Sequence, residues 1–137
     1  MRRILATIGL ILCSAGCSEN YTHDESLAAK AALEFADVAF VQHDVEKSYL
    51  LLADKARAYV PLEKYKETVL SMHTNGYPTK VAAQGAGAVK GVKLVNVALR
   101  GDGPNGLRFD YSLSLVGTAQ SGYRVTTFNG GGLPPLP

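Results

Sequence analysis

The stretch LRFDYSLSLV, residues 107–116, decides the fold class of this chain because its apolar and polar residues alternate from Leu107 to Leu115. Successive side chains of a β-strand point to opposite faces of the sheet, so one face of this strand is apolar and the other polar. A sheet with one buried and one solvated face is typically antiparallel. The side chains that we expect to face the core are Leu107, Phe109, Tyr111, Leu113 and Leu115, and those that we expect to face water are Arg108, Asp110, Ser112 and Ser114.

Further strands are predicted on both sides of this stretch. Residues 92–100 form one, and the turn sequence GDGPNG at 101–106 connects it to the central strand. Residues 80–90 are rich in Gly and Ala, which predicts a weak or bulged strand. Residues 123–128 form the last strand, after a turn at 117–122. The residues that follow, 129–137, are rich in Gly and Pro, and we expect them to be a tail without a core to join.

The first half of the mature chain has helical periodicity instead. Thr22 and Glu25 have the spacing of a capping box, which predicts a helix from about residue 23 that continues to about residue 41. Asp44 is a suitable N-cap for a second helix over 45–53. A third helix is expected from Pro61 to residue 72, because Pro suits the first helical position and Asn-Gly at 75–76 ends the pattern.

Helices followed by a meander of strands predict one α+β domain. We expect N-terminal helices to pack on one face of a curved antiparallel sheet of three to four strands. The predicted division of the chain is a signal peptide at 1–16, a lipidated Cys with a tether at 17–22, a single domain at 23–129 and the tail at 130–137.

The N-terminus has the order of an export signal. Two arginines precede nine apolar residues at 4–12, a run too short to span a bilayer as a helix. The sequence SAGC at 14–17 then resembles the lipobox of bacterial lipoproteins, with Ser14 in place of the usual Leu. The resemblance implies cleavage before Cys17 and acylation of its thiol, and more than one acyl chain gives stable membrane anchoring. An ordinary secretory signal, or a helix that carries Cys13 and Cys17 on one face, is the alternative.

A second resemblance covers residues 26–129. The segment HDVEKSYLL at 43–51, Pro61 at the start of the next helix and the ending GYRVTTF at 122–128 resemble the nuclear transport factor 2-like, cystatin-like fold of many small bacterial lipoproteins. Tyr123 stands where that family usually has Trp. The resemblance implies a cone-shaped cavity between the long helix and the curved sheet, but the fold by itself implies no activity.

Composition excludes several function classes. Loss of Arg2 and Arg3 with the signal leaves 12 basic and 12 acidic residues, so we expect no nucleic-acid partner. Cleavage removes Cys13 and lipidation consumes Cys17, which leaves no thiol for catalysis or metal binding. The three histidines lack metal-ligand spacing, and Lys90 interrupts the glycines at 85, 87 and 91 where a dinucleotide-binding loop needs Gly. We therefore expect no cofactor and no metal.

The expected site is the interior of the cone. Apolar walls with a few Tyr hydroxyl groups are typical of small-molecule sites. The candidate lining residues, which could equally fill the space as ordinary core, are Phe35, Phe40, Tyr49, Val97, Phe109, Tyr111 and Tyr123. Related enzymes pair an Asp base with a Tyr donor inside the cone. Here the alternation places the sheet's acid, Asp110, on the outer face, so we expect no catalytic residues.

The sequence thus predicts a membrane-anchored envelope lipoprotein whose domain is a non-catalytic binding or scaffold module. Its partner is expected to be an envelope protein or a small apolar ligand. Ser18, by the sorting rules of enterobacterial lipoproteins, predicts the periplasmic side of the outer membrane. Two alternatives stay open. One is an inhibitor or immunity lipoprotein against an envelope hydrolase, acting through the loop 101–106 or the tail. The other is a small-molecule enzyme of the same fold.

Overall fold

The computed structural model describes residues 20–133, in which four α-helices pack on one face of a four-stranded antiparallel sheet. The predicted α+β class is confirmed. The helices are α1 (Glu25–Ala36, continued by a π-helical turn at Asp37–Val41), α2 (Val45–Leu50), α3 (Asp54–Tyr59) and α4 (Leu62–Ser71). The strands are β1 (Lys80–Ala88), β2 (Leu94–Asp102), β3 (Arg108–Thr118) and β4 (Gly122–Leu133), with a 3-10 turn at Pro104–Gly106 between β2 and β3.

The sheet follows the order of the sequence, with each strand antiparallel to the next. Strand β3 has the predicted alternation: Phe109, Tyr111, Leu113 and Leu115 are buried, whereas Asp110 and Ser112 are exposed. The predicted irregularity of β1 is confirmed by a bulge between Ala83 and Gly85. The helices cover the apolar face of the sheet, so the core lies between α1 and strands β2 to β4.

The first helix begins two residues later than the predicted start. Its N-cap is Asp24, whose carboxylate accepts a hydrogen bond from the backbone N–H of Leu27 at 3.0 Å. The predicted capping box with Thr22 is therefore wrong. The reason is tertiary, because the carbonyl oxygen of Thr22 accepts a hydrogen bond from the N–H of Ala119 and holds this residue against the sheet, outside the helix.

The predicted helix over 45–53 ends at Leu50, and α3 follows, which the sequence reading missed. The chain leaves the helix because Leu52 forms a parallel bridge with Val125. The N–H of Ala53 also donates to the carbonyl oxygen of Val125 at 2.8 Å. Pairing with β4 thus interrupts the helix. Helix α4 occupies the predicted position, although Pro61 is its N-cap and not its first residue.

The C-terminal strands are longer than predicted. Strand β2 continues through Asp102, so the turn before β3 is shorter than residues 101–106. Strand β4 continues to Leu133, so residues 129–133 are not a tail. Gly130 pairs with Tyr111 at a φ of +119°, and a Cβ atom there would collide with the carbonyl oxygen of Asp110. Glycine at position 130 therefore allows β3 and β4 to approach each other closely. Residues 134–137 lie outside the described residues.

Helix α1 packs closely on the sheet because its inward face is made of small residues. Ala28, Ala32 and Ala36 are completely buried, and Phe35 is almost so. Small side chains let the helix backbone approach the strands, while the aromatic ring fills the space beside them. None of the helices within residues 20–133 has the length and apolar character required to cross a membrane.

Candidate functional site

Five of the seven candidate cavity residues meet in the core between α1 and the sheet. Phe35, Phe40, Val97, Phe109 and Tyr111 are each at most 2% exposed. The ring of Phe40 stacks on that of Tyr111, with 4.6 Å between centroids, and meets Phe35 edge to face at 5.9 Å. These rings occupy the centre of the predicted cone and pack against one another as core residues do.

The other two candidates lie at the periphery of this cluster. Tyr49 is half-buried beside Tyr65, and its hydroxyl group donates to the carbonyl oxygen of Val60 at 2.6 Å. It therefore secures the chain between α3 and α4. Tyr123 lies near the start of β4, where it contacts the N-terminal segment described below.

A cleft remains at the rim of the sheet, beside α4 and β4. It has a volume of about 220 Å³ and is lined by Leu52, Val60, Tyr65 and Phe128 together with three threonines, Thr68, Thr126 and Thr127. Apolar cavities of about 150 Å³ can hold a molecule the size of benzene. The cleft can therefore accept one small apolar group, such as a side chain of a partner.

A buried histidine joins α4 to β3, and sequence reasoning missed its second partner. His73 is 5% exposed, and its Nδ1 lies 2.6 Å from the carbonyl oxygen of Val69. A carbonyl oxygen only accepts, so Nδ1 carries the proton and Nε2 accepts from the hydroxyl group of Tyr111 at 2.8 Å. The bond to Val69, four residues earlier, is local to the end of α4, whereas nothing local in the sequence indicated Tyr111.

Burial sets the protonation state of this pair. It lowers the pKa of His73 below the ordinary value of 6.5, an effect that the Val69 carbonyl opposes and nearby His43 reinforces. It also raises the pKa of Tyr111, and Tyr77 acts in the same direction. Both groups are therefore neutral near pH 7, and each uses its hydrogen-bonding capacity within the core. The arrangement is suited to holding two elements together.

Ser48 and Tyr65 form a second buried polar pair. Ser48 Oγ donates to the carbonyl oxygen of Val45 at 2.8 Å, so the hydroxyl group of Tyr65 donates to Ser48 at 2.5 Å. Burial raises the pKa of Tyr65 to about 12, and the bond to Ser48 partly offsets this. The serine proton is thus engaged with the backbone, and no imidazole contacts this serine in the described bonds.

Asp110 faces outward, as the alternation predicted. Its side chain is exposed and lies 3.9 Å from Arg100 on the neighbouring strand. Since the aromatic cluster is on the opposite face of the sheet, Asp110 does not pair with Tyr111 as a base with a donor. Among residues 20–133, no three His, Cys, Asp or Glu side chains come together as a metal site would require.

The N-terminal segment is fixed to one end of the sheet. We call residues 21–25 the latch, and the end of the sheet on which they lie the latch end. Tyr123 of β4 is the main contact of the latch: the Tyr123 hydroxyl accepts from the backbone N–H of Asp24 at 2.9 Å and lies 3.0 Å from Nδ1 of His23. His23 Nε2 lies 2.8 Å from the carbonyl oxygen of Val92, to which it must donate. Nδ1 is therefore the acceptor for the Tyr123 hydroxyl proton.

Three more contacts complete the latch. The N–H of Ala119 donates to the carbonyl oxygen of Thr22 at 2.9 Å, and the N–H of Ala88 donates to the carboxylate of Glu25 at 3.1 Å. The ammonium group of Lys93 lies 5.2 Å from the ring centroid of Tyr21. Residues 21 and 22, predicted to belong to a tether, are thus bonded to the domain.

Comparison of the chain with models of known protein families found no match, and comparison with curated protein sequences found no similar protein. The resemblances to the lipobox and to the nuclear transport factor 2-like fold therefore remain predictions. The contacts of the latch, the packed cone and the small rim cleft are the observations on which a function can be proposed.

Proposed function

We propose that this protein is a lipid-anchored protein of the bacterial envelope, and that its domain acts directly at the membrane surface as a non-catalytic binding or scaffold module. The observation that carries the proposal is the latch. It fixes the chain to the folded domain from residue 21 onward, only a few residues after the Cys17 that resembles a lipidation site.

The distance between anchor and domain follows from chain length. Cys17 precedes Asn20 by three residues. An extended chain spans at most about 3.3–3.6 Å per residue, so these residues reach roughly 10 Å. A lipid on Cys17 would therefore hold the latch end next to the headgroups. Such a domain suits partners at or in the same membrane, because it cannot extend far from the bilayer.

The non-catalytic part of the proposal is supported by the bonds of the polar core groups. The hydroxyl groups of Tyr111 and Tyr65, the imidazole of His73 and the hydroxyl group of Ser48 are all paired with one another or with the backbone. Groups bonded in this way position structural elements. An acid or base must instead reach a substrate at hydrogen-bond distance.

Binding would take place on the surface, since aromatic rings fill the cone. The rim cleft beside Tyr65 and Phe128 has a largely apolar lining, and its volume of about 220 Å³ suits one apolar side chain of an envelope protein or a ligand of similar size. Once a partner is known, substitution of Phe128 by a polar residue should weaken its binding if the cleft is the binding site.

The inhibitor alternative has less support. Residues 103–107 form a tight turn closed by hydrogen bonds between Gly103 and Leu107 and between Leu107 and Pro104. Residues 129–133 belong to β4. Residues 104–106 of the turn are exposed, so the turn remains the candidate surface of that alternative, whereas residues 129–133 are paired in the sheet.

The proposal is tested by the covalent state and location of the mature protein. Protein extracted from membranes of its native host should begin at Cys17 and carry the mass of acyl chains. Replacement of residues 1–17 by a conventional cleavable signal peptide should release the same domain in soluble form, and density-gradient separation of the membranes should place the lipidated form in the outer membrane. A mature N-terminus elsewhere, or a membrane-bound product of the second chain, would contradict lipid anchoring.

A further inference from the structure

We propose that the turn between β1 and β2, the sequence KGVK at residues 90–93, rests on an anionic lipid surface and sets the orientation of the domain. The latch end would then face the bilayer, and the turn between β2 and β3 would face away from it. This inference rests on the proposed function, because it takes the lipid on Cys17 as the anchor, and it adds the surface that the lipid headgroups contact.

The latch ties this turn to the anchoring segment. His23 donates to the carbonyl oxygen of Val92 at 2.8 Å, and Lys93 lies over the ring of Tyr21. The turn between β3 and β4 lies at the same end, since the N–H of Gly117 donates to the carbonyl oxygen of Lys93 at 3.1 Å. Both turns therefore lie at the end of the sheet that holds the latch, from which the chain leads back to Cys17.

The chemistry of the KGVK turn fits a lipid surface. Val92 is 44% exposed, and the lysines on either side of it are also exposed. Neither Lys90 nor Lys93 forms an ion pair with a carboxylate of residues 20–133. Lysines can approach lipid phosphates while an apolar side chain between them enters the headgroup region, and each basic residue near an anionic surface strengthens the attraction.

Several other charged groups at this end form hydrogen bonds or ion pairs within the domain. The carboxylate of Asp24 caps α1, and that of Glu25 accepts from the N–H of Ala88. Arg124 donates to the carbonyl oxygen of Leu50 at 3.0 Å, and Asp54 pairs with Arg57. These carboxylates keep their negative charge, but each is held by a donor of the domain, whereas Lys90 and Lys93 are exposed on the turn and form no ion pair with a carboxylate of residues 20–133.

The two ends of the sheet are far enough apart to be distinguished. Strand β3 runs from the far end at Arg108 to the latch end at Thr118. At about 3.4 Å per residue, the ends are roughly 30 Å apart. A probe at Asn105 and a probe at Val92 would therefore report clearly different depths.

The experiment uses the mature protein extracted from membranes and reconstituted in vesicles of equimolar phosphatidylcholine and phosphatidylglycerol. Cys17 would be acylated, so a cysteine introduced by Val92→Cys, Gln120→Cys or Asn105→Cys is the only reactive thiol and takes a nitroxide. Gln120 is exposed in the turn between β3 and β4 at the same end of the sheet, and serves if labelling at Val92 disturbs the fold. Accessibility is measured to oxygen, which partitions into lipid, and to a water-soluble relaxation agent.

We expect the labels at 92 and 120 to be accessible to oxygen and shielded from the water-soluble agent, and the label at 105 to show the reverse. Equal accessibility at both ends, or a lipid-facing label at 105, would overturn the orientation. In that case a lipidated mass of the same sample would leave the proposed function standing. A mass without lipid would overturn both.

A pair of matched variants tests the role of the lysines. In the protein labelled at 120, Lys90→Gln with Lys93→Gln should abolish the difference in accessibility between anionic vesicles and vesicles of phosphatidylcholine alone. Lys47→Gln with Lys64→Gln, which removes two exposed lysines from the helices, should preserve it. If the difference survives loss of the turn lysines, they do not set the orientation.

Discussion

Tyr111 brings a hydroxyl group into a core whose other members on β3 are apolar, and His73 makes this possible. An unpaired buried donor costs about 1–3 kcal/mol, whereas a paired one is close to neutral or mildly stabilising. Nε2 of His73 accepts a hydrogen bond from the hydroxyl group of Tyr111, and Nδ1 donates one to the carbonyl oxygen of Val69. These two hydrogen bonds link Tyr111, His73 and Val69 in series and fix the end of α4 to the centre of the sheet.

The first prediction concerns the pH dependence of this residue. Burial lowers the pKa of His73 in the folded state below 6.5. Between pH 6.5 and that lower value, the unfolded chain therefore binds more protons than the folded one. His73 should make no pH-dependent contribution above about pH 7, and stability should decrease as the pH falls from 6.5 towards the folded pKa.

Two measurements check this. An NMR titration of His73 should give a pKa below 6.5. The denaturation midpoint should fall less between pH 7 and pH 5 in His73→Gln than in the parent protein. In the control His43→Gln, which alters an exposed ring, the midpoint should fall nearly as much as in the parent. A His73 pKa at or above 6.5 would contradict the prediction.

Among the elements, β3 has the most strictly divided faces. Leu113 is 1% exposed on the core face, and Ser112 is exposed on the other. We expect Leu113→Ala to lower the free energy of unfolding by about 2–5 kcal/mol, because it removes buried methyl groups and leaves a cavity. Ser112→Ala should change it by no more than about 0.5 kcal/mol. Denaturant midpoints in the reverse order would mean that the register of β3 is wrong.

The end of β4 gives a prediction at the same scale. Gly130 has a φ of +119°, and a Cβ atom there would meet the backbone of Asp110. Gly130→Ala should therefore cost at least about 1 kcal/mol and expose the amides of 129–133 to hydrogen exchange. Gly87→Ala in β1 is the control, since a Cβ there has open space and the φ is not positive. Equal stability of the two variants would indicate that the last residues of β4 do not pair with β3.

For the whole molecule, the latch is the feature that relates the folded domain to its N-terminal segment. Tyr123→Phe removes the hydroxyl group shared by Asp24 and His23 while keeping the ring. We expect a loss of about 0.5–1.5 kcal/mol and faster hydrogen exchange at the amide of Asp24, with unchanged exchange in β2 and β3. Tyr59→Phe, at a residue 91% exposed, should change neither. An unchanged rate at Asp24 would mean that the latch does not depend on this bond.

The sequence by itself determined whatever depends on local periodicity. Alternation over residues 107–116 gave β3, its buried face and the outward position of Asp110, and the Gly- and Ala-rich segment gave a bulged β1. Asp44, Pro61 and the Asn-Gly at 75–76 marked helix boundaries. These features were readable because neighbours along the chain impose them: side-chain period, capping and turn chemistry act within a few residues.

Only the tertiary structure decided the rest, because the partners are distant in sequence. His23 and Tyr123 are 100 residues apart, and His73 and Tyr111 are 38 apart. Leu52 ends a helix by pairing with Val125, and the glycines after residue 129 extend a strand because Asp110 lies beside them. The candidate cavity residues likewise could not be assigned to a cavity or to the core from the sequence alone. Composition indicated which side chains are apolar, but only their packing in three dimensions showed that five of them form the buried core and that Tyr123 binds the latch.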